Sequence, residues 1–302
     1  VVWFGLSGLV LLYLLLRRDP DASPTADRAG FPAVPLVCLL AAVGLTVVTS
    51  GVLPGRDRQT IWSQYYRIDY DPKTRDVYTN LIGHQVIEPM TEATRADVAY
   101  SLPYLFRRDL KGPDGQPAWP PFSRVLIIGA GNGNDVARAL QFAAPDAQID
   151  AVEIDPTIQE LGERHHPDRP FADPRVKVTI NDGRNFLRKA PDATYDLVVF
   201  ALIDSLVLQS GYSNLRLESY LFTLESFRDV RRVLKPTGVF TVYNIFRQGW
   251  VTGRIREQLR TAFGGVDPVV INLPARDDIP LDLNSFGSTA FFAGGEEVLA
   301  PL

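Results

Sequence analysis

Short apolar runs punctuated by glycine, asparagine and aspartate recur along the second half of this 302-residue chain. VLII (125–128), IDAVE (149–153), VKVTI (176–180) and TYDLVVFA (194–201) have the length and β-branched content of parallel strands covered on both faces. Helical stretches fall between them, GRNFLRKA after the third run and 217–234 after the fourth, the latter stopped by LKPTG. Strand VFTVYN, a helix from Trp250 to Phe263, and strands VDPVVINL and GSTAFFAG complete the pattern. Alternation of this kind predicts an α/β domain over 109–302. Upstream, 56–108 reads as a small β-domain followed by a helix at 91–108, and the Pro/Gly-rich stretch 107–123 reads as a connector.

Chemistry enters at the turn after the first strand. VLIIGAGNGNDVARALQFAAPDAQIDAVEID places Gly129, Gly131 and Gly133 between a strand and a helix, the first half of a Rossmann-like unit. A dinucleotide fingerprint would put its third glycine at 134, where this chain has Asn134, so the G-x-G-x-G spacing favours a nucleoside over a pyrophosphate. Glu153 closes the second strand, where a carboxylate accepts hydrogen bonds from both ribose hydroxyls. Asp182, before Gly183 at the end of the third strand, is placed to accept from an adenine amine; capping the following helix is its other reading.

VLIIGAGNGND, AVEIDP, INDGRNFL, YDLVVFALIDS and LKPTGVF stand in the order of the class I methyltransferase fold and together resemble its spermidine synthase branch. SQYYRIDYDPKTRDVYTNLIGHQVIEP (63–89) resembles the small N-terminal β-domain of that branch, and TEATRADVAYSLPYLF resembles the helix after it. The resemblance covers about residues 60–293. It implies a Rossmann-like fold with a seven-stranded, mostly parallel sheet, an S-adenosyl sulfonium co-substrate, and a homodimer built through the small β-domain.

Departures from the branch bear on the reaction. The acid of its glycine loop is Asn132 here, the first acid of its D-x-x-D pair is Ala201 while Asp204 retains the second, and its aromatic-Gln pair reads Arg95-Ala96. Decarboxylated S-adenosylmethionine carries a bare ammonium that requires carboxylate partners once out of water. S-adenosylmethionine itself keeps a carboxylate, which an arginine such as Arg95 engages through two parallel hydrogen bonds. Methyl transfer is therefore the slightly preferred expectation, with aminopropyl transfer and a catalytically silent nucleoside-binding protein as the alternatives. In either reaction the sulfonium activates its own carbon, so the protein mainly aligns a nucleophile, and Asp204 is the expected base or orienting group. Tyr65, Tyr66 and Tyr212 line the pocket or pack as core aromatics, and the acceptor loop 205–227 leaves acceptor identity open.

A net charge of −4 without a basic cluster lacks the footprint of nucleic-acid binding. A single cysteine, Cys38, excludes an internal disulfide framework, and His84, His165 and His166 lack metal-ligand spacing, so no metal is expected. Residues 1–16 and 31–55 carry no charge, and the second run exceeds the roughly 20 residues that cross a hydrocarbon core. They predict transmembrane helices in a membrane anchor over 1–55, the first being the tail of a longer span whose start is missing. Arg17, Arg18 and Arg28 argue for one orientation, Arg56 and Arg58 for the other. The cytoplasmic supply of the donor places the catalytic domain on that side of an integral membrane protein.

Overall fold

Strand and helix alternate from residue 124 onward in the computed structural model, which describes residues 58–90, 98–112, 114–203, 220–246, 249–273 and 288–302 together with Leu40 and Gly44. Residues 1–60 and 61–302 fall into two separate units. The first sheet holds β1 (Gln59–Trp62), β2 (Arg67–Tyr70), β3 (Asp76–Thr79) and β4 (Ile82–Val86) in sequence order. Seven strands form the main sheet: β5 (Arg124–Ile128), β6 (Gln148–Glu153), β7 (Val176–Ile180), β8 (Tyr195–Ala201), β9 (Leu234–Asn244), β10 (Val269–Leu273) and β11 (Ser288–Gly294). Their order is β10-β11-β9-β8-β5-β6-β7. Strands β9 through β7 pair in parallel, and β11 runs against both of its neighbours. The architecture is the mostly parallel, Rossmann-like α/β fold of class I methyltransferases, with a small sheet before it.

All-apolar strands arise because both faces of the sheet are covered. On β5, Leu126 and Ile128 join one core with Phe200, Phe240, Phe227 and Ile255. Val125 and Ile127 turn the other way, into a core with Leu197, Val199, Val136 and Phe292. The described helices are α1 (Val98–Asp109), α2 (Asn134–Phe142), α3 (Pro156–His165), α4 (Gly183–Lys189), α5 (Leu224–Val233), α6 (Gly249–Ala262) and α7 (Glu296–Leu299). Residues of α4, α5 and α6 supply the first core, and residues of α1, α2 and α7 the second.

The small sheet is seated on α3. Ile68, Tyr70, Val77 and Ile87 bury themselves against Ile158 and Leu161, forming a third core. Asp155, fully buried, caps α3 by accepting the Thr157 N–H at 2.9 Å, and its other oxygen accepts the Ser63 hydroxyl. One side chain thereby starts the helix and ties it to the small sheet.

Two elements differ from the reading of the sequence. The helix expected at 217–234 begins only at Leu224, because the Thr223 hydroxyl caps it by accepting the Ser226 N–H at 3.2 Å. LKPTG stops the helix at Val233 as expected but also opens β9, whose pairing with β8 shifts register between Tyr195 and Leu197. Pro236 sits in this irregular part of the strand, where its missing N–H breaks no regular ladder.

Candidate active site

Strands β5, β6, β7 and β8 end at one edge of the sheet, where open parallel sheets bind ligands. The turn after β5 is built by Gly129, Gly131 and Gly133, whose φ values of 79°, 55° and 101° lie in the left-handed region. The N–H groups of Gly129 and Ala130 both donate to the Val152 carbonyl, at 2.9 and 3.0 Å, so the turn is pinned to β6. Gly131 then donates its N–H to Glu153 Oε2 at 2.8 Å.

Glu153 lies at the floor of a cavity bounded by this turn, the ends of β6, β7 and β8, and the small sheet. Its Oε1 also accepts the N–H groups of Ile154 and Asp155, at 2.8 and 2.9 Å. Burial raises its pKa, and these three backbone hydrogen bonds oppose that rise by favouring the charged form. A carboxylate has about four acceptor sites, so three are engaged and about one remains for a ligand hydroxyl. Accepting two ribose hydroxyls would require one backbone N–H to give way.

Asp182 caps α4, its Oδ1 accepting the Asn185 N–H at 2.8 Å, and it also lines the cavity. Asn181 and Gly183 line the cavity beside it. Gly129 and Gly131 are on the wall, whereas Gly133 is packed under Pro170 and Phe171. Asn132 is fully buried with its Nδ2 donating to the Ile158 carbonyl at 2.7 Å, so its side chain faces α3 and supports the turn. Tyr65 is 38% exposed and is not among the residues lining the cavity; its neighbour Tyr66 lines it instead. Arg95, Asp204 and Tyr212 lie outside the described residues. The described chain reaches Ile203, on the cavity wall, whose carbonyl accepts a hydrogen bond from Asn244 Nδ2 at the end of β9.

Several wall residues escaped the reading of the sequence. His84 and Gln85 come from β4, and Gln85 Oε1 accepts the Asn132 N–H at 2.9 Å, so the small sheet reaches into the glycine turn. Asn134 reinforces this joint by donating to the Val86 carbonyl at 2.8 Å and accepting the Glu88 N–H at 3.2 Å. Asp135, in the first turn of α2 and 5% exposed, lines the cavity and accepts the Tyr243 hydroxyl. Its local signal was a carboxylate directly after the glycine turn; its partner stands 108 residues away.

The cavity wall thus carries three carboxylates, Asp135, Glu153 and Asp182, and no lysine or arginine among the described residues. Fold and site together define a class I methyltransferase-type α/β fold with a cavity at the carboxyl ends of its parallel strands. Residues 118–276, more than half of the chain, match the spermine/spermidine synthase domain, and the chain belongs to that family of enzymes. It is 30% identical over 154 residues to a polyamine aminopropyltransferase of Prochlorococcus marinus, covering 48% of this chain and 49% of that protein. It is 34% identical over 122 residues to spermidine synthase 1 of Pisum sativum, covering 40% and 34%. The chain spans about half or less of the length of these relatives. A solved spermidine synthase in complex with the transition-state analogue AdoDATO shares the fold with a TM-score of 0.59 at 17% identity, over 81% of this chain and 75% of that one. The spermidine synthase of Thermotoga maritima superposes with a TM-score of 0.56 over the same shares.

These relatives correct the expectation of an integral membrane protein with a cytoplasmic catalytic domain. Crossing a bilayer takes about 20 predominantly apolar residues in one helix, and α6, the longest described helix, has 14. Among the described residues no helix is long and apolar enough to cross a membrane. The apolar runs 1–16 and 31–55 on which the membrane anchor rested fall outside the described residues, Leu40 and Gly44 excepted. The membrane placement does not stand.

Proposed function

We propose that this chain is the donor-binding part of an aminopropyltransferase that takes decarboxylated S-adenosylmethionine and passes its aminopropyl group to an amine of the polyamine class. The observation that carries this reading is the acidic cavity wall, with Asp135, Glu153 and Asp182 and no lysine or arginine among its described residues. Two like charges about 6 Å apart at an effective dielectric constant of about 20 repel by roughly 3 kcal/mol, and opposite charges attract by as much before desolvation. A donor carboxylate is disfavoured beside such a wall, and an ammonium is favoured.

The preference for methyl transfer rested on Arg95 and on the acids absent at 132 and 201. Asp135 supplies an acid from a third position. Names of the relatives support the same direction, since they are aminopropyltransferases and spermidine synthases. In the transfer, an amine lone pair attacks the carbon next to the sulfonium, a carbon–nitrogen bond forms, and the carbon–sulfur electron pair returns to sulfur as a neutral thioether. The proton released by the new ammonium goes to a base, the role assigned to Asp204. Glu153 holds the ribose, Asp182 the adenine, and the glycine turn lets the nucleoside approach the backbone.

Titration calorimetry with both sulfonium donors tests the proposal. Tighter binding of the decarboxylated donor is expected; tighter binding of S-adenosylmethionine overturns it. Transfer of label from the decarboxylated donor to putrescine separates an enzyme from a silent binder.

A further inference from the structure

The three acids of the cavity are not equivalent in position. Asp182 follows β7, Glu153 ends β6, the glycine turn follows β5, and Asp135 is bonded to Tyr243, which pairs in register with Ala201 across β8 and β9. Strand order in this part of the sheet is β9-β8-β5-β6-β7. From β6 to β9 is three strand spacings, about 14 Å. Two acids therefore serve one side of the glycine turn, and Asp135 serves the other.

That order matches the order of groups along an adenosyl sulfonium. With adenine at Asp182 and ribose at Glu153, the sulfonium lies over the glycine turn and its side arm extends toward the ends of β8 and β9. Resting on the function proposed above, we infer that Asp135 receives the ammonium of the donor arm, with Tyr243 as its positioning residue. Neither neighbouring position offers an acid there: Asn132 is turned into α3, and Ala201 has no polar side chain. Glu153 and Asp182 are assigned to the ribose and the adenine in the function proposed above. The hydroxyl of Tyr243, a residue 1% exposed, donates to Asp135 Oδ1 and so orients the carboxylate.

Asp135 also stands in the first turn of α2, where the helix dipole favours an anion, one turn before the fully buried Arg138. That accounts for a charge at this position, not for its place on the cavity wall, and the two roles are separable. The full chain and its D135N and Y243F variants are titrated with decarboxylated S-adenosylmethionine and with 5′-methylthioadenosine, a neutral nucleoside without the arm. D135N is expected to weaken the cationic donor roughly 10- to 100-fold, the range of a lost charge-assisted hydrogen bond, and to leave methylthioadenosine within about twofold. Y243F is expected to weaken the cationic donor alone by roughly threefold to tenfold.

Equal loss for both ligands assigns Asp135 a structural role and overturns the inference. Should D135N fail to fold, Y243F decides by the same comparison. A wild-type chain that binds neither nucleoside refutes the function itself; one that binds both, with D135N unchanged, refutes only the part given to Asp135.

Discussion

Replacing Gly131 by alanine tests the joint between the small sheet and the glycine turn. At φ 55° an L-residue costs about 1 kcal/mol over glycine. A Cβ at this position would lie 2.8 Å from Gln85 Oε1, the far end of a flexible side chain, which then swings away. Its departure forfeits the hydrogen bond from the Asn132 N–H, worth about 1 kcal/mol net. G131A is thus expected to cost about 2 kcal/mol, or a fall in Tm of roughly 4–8 °C for a unit of this size. Q85A alone removes the same hydrogen bond and costs about 1 kcal/mol. Since the double variant loses that bond once and retains only the backbone strain, it is expected to match G131A at about 2 kcal/mol rather than reach the additive 3. Urea unfolding of the four proteins measures the cycle. Strict additivity would refute the contact between Gln85 and the turn.

Two further outcomes follow from buried groups. His166 is 2% exposed with Nε2 buried and unbonded, and burial pushes its pKa down to about 4. Its folded pKa lies below the unfolded value of about 6.5, so its neutral form is the stable one. Stability is intact above pH 6.5 and falls as pH drops toward 4, by on the order of 3 kcal/mol. Unfolding free energies measured from pH 7 to pH 4 are expected to fall more steeply for the wild type than for H166N, and parallel curves would count against this assignment. Gly162, inside α3, would place a Cβ 2.3 Å from the Asn132 carbonyl oxygen, a backbone atom that has no rotamer to yield. G162A is expected to destabilise by about 3 kcal/mol and to weaken nucleoside binding as the turn shifts; a change of Tm within 2 °C would contradict that packing.

Reading the chain in order revealed most of the scaffold. The runs at 125–128, 149–153, 176–180 and 194–201 became β5 to β8 with ends moved by a residue at most, because two-sided burial leaves an apolar signature that neighbours in sequence carry by themselves. The glycine turn and the carboxylates at 153 and 182 were legible for the same reason, each being fixed by a strand end close by in sequence. Boundaries set by side-chain caps or bulges were harder: Thr223 decides where α5 starts, and the shifted register of β9 absorbs LKPTG.

Local sequence alone thus determined the alternating fold, the left-handed turn and the two acids at the ends of β6 and β7, since backbone conformation and strand burial are short-range properties. Only tertiary structure decided which polar groups face the cavity. Asn132 is drawn to Ile158, Tyr66 rather than Tyr65 lines the wall, Gln85 reaches the turn from 47 residues upstream, and Asp135 meets Tyr243 across 108 residues. Such pairings depend on how sheets and helices stack after the chain has collapsed, and a hydrogen bond between distant residues leaves no periodicity along the sequence.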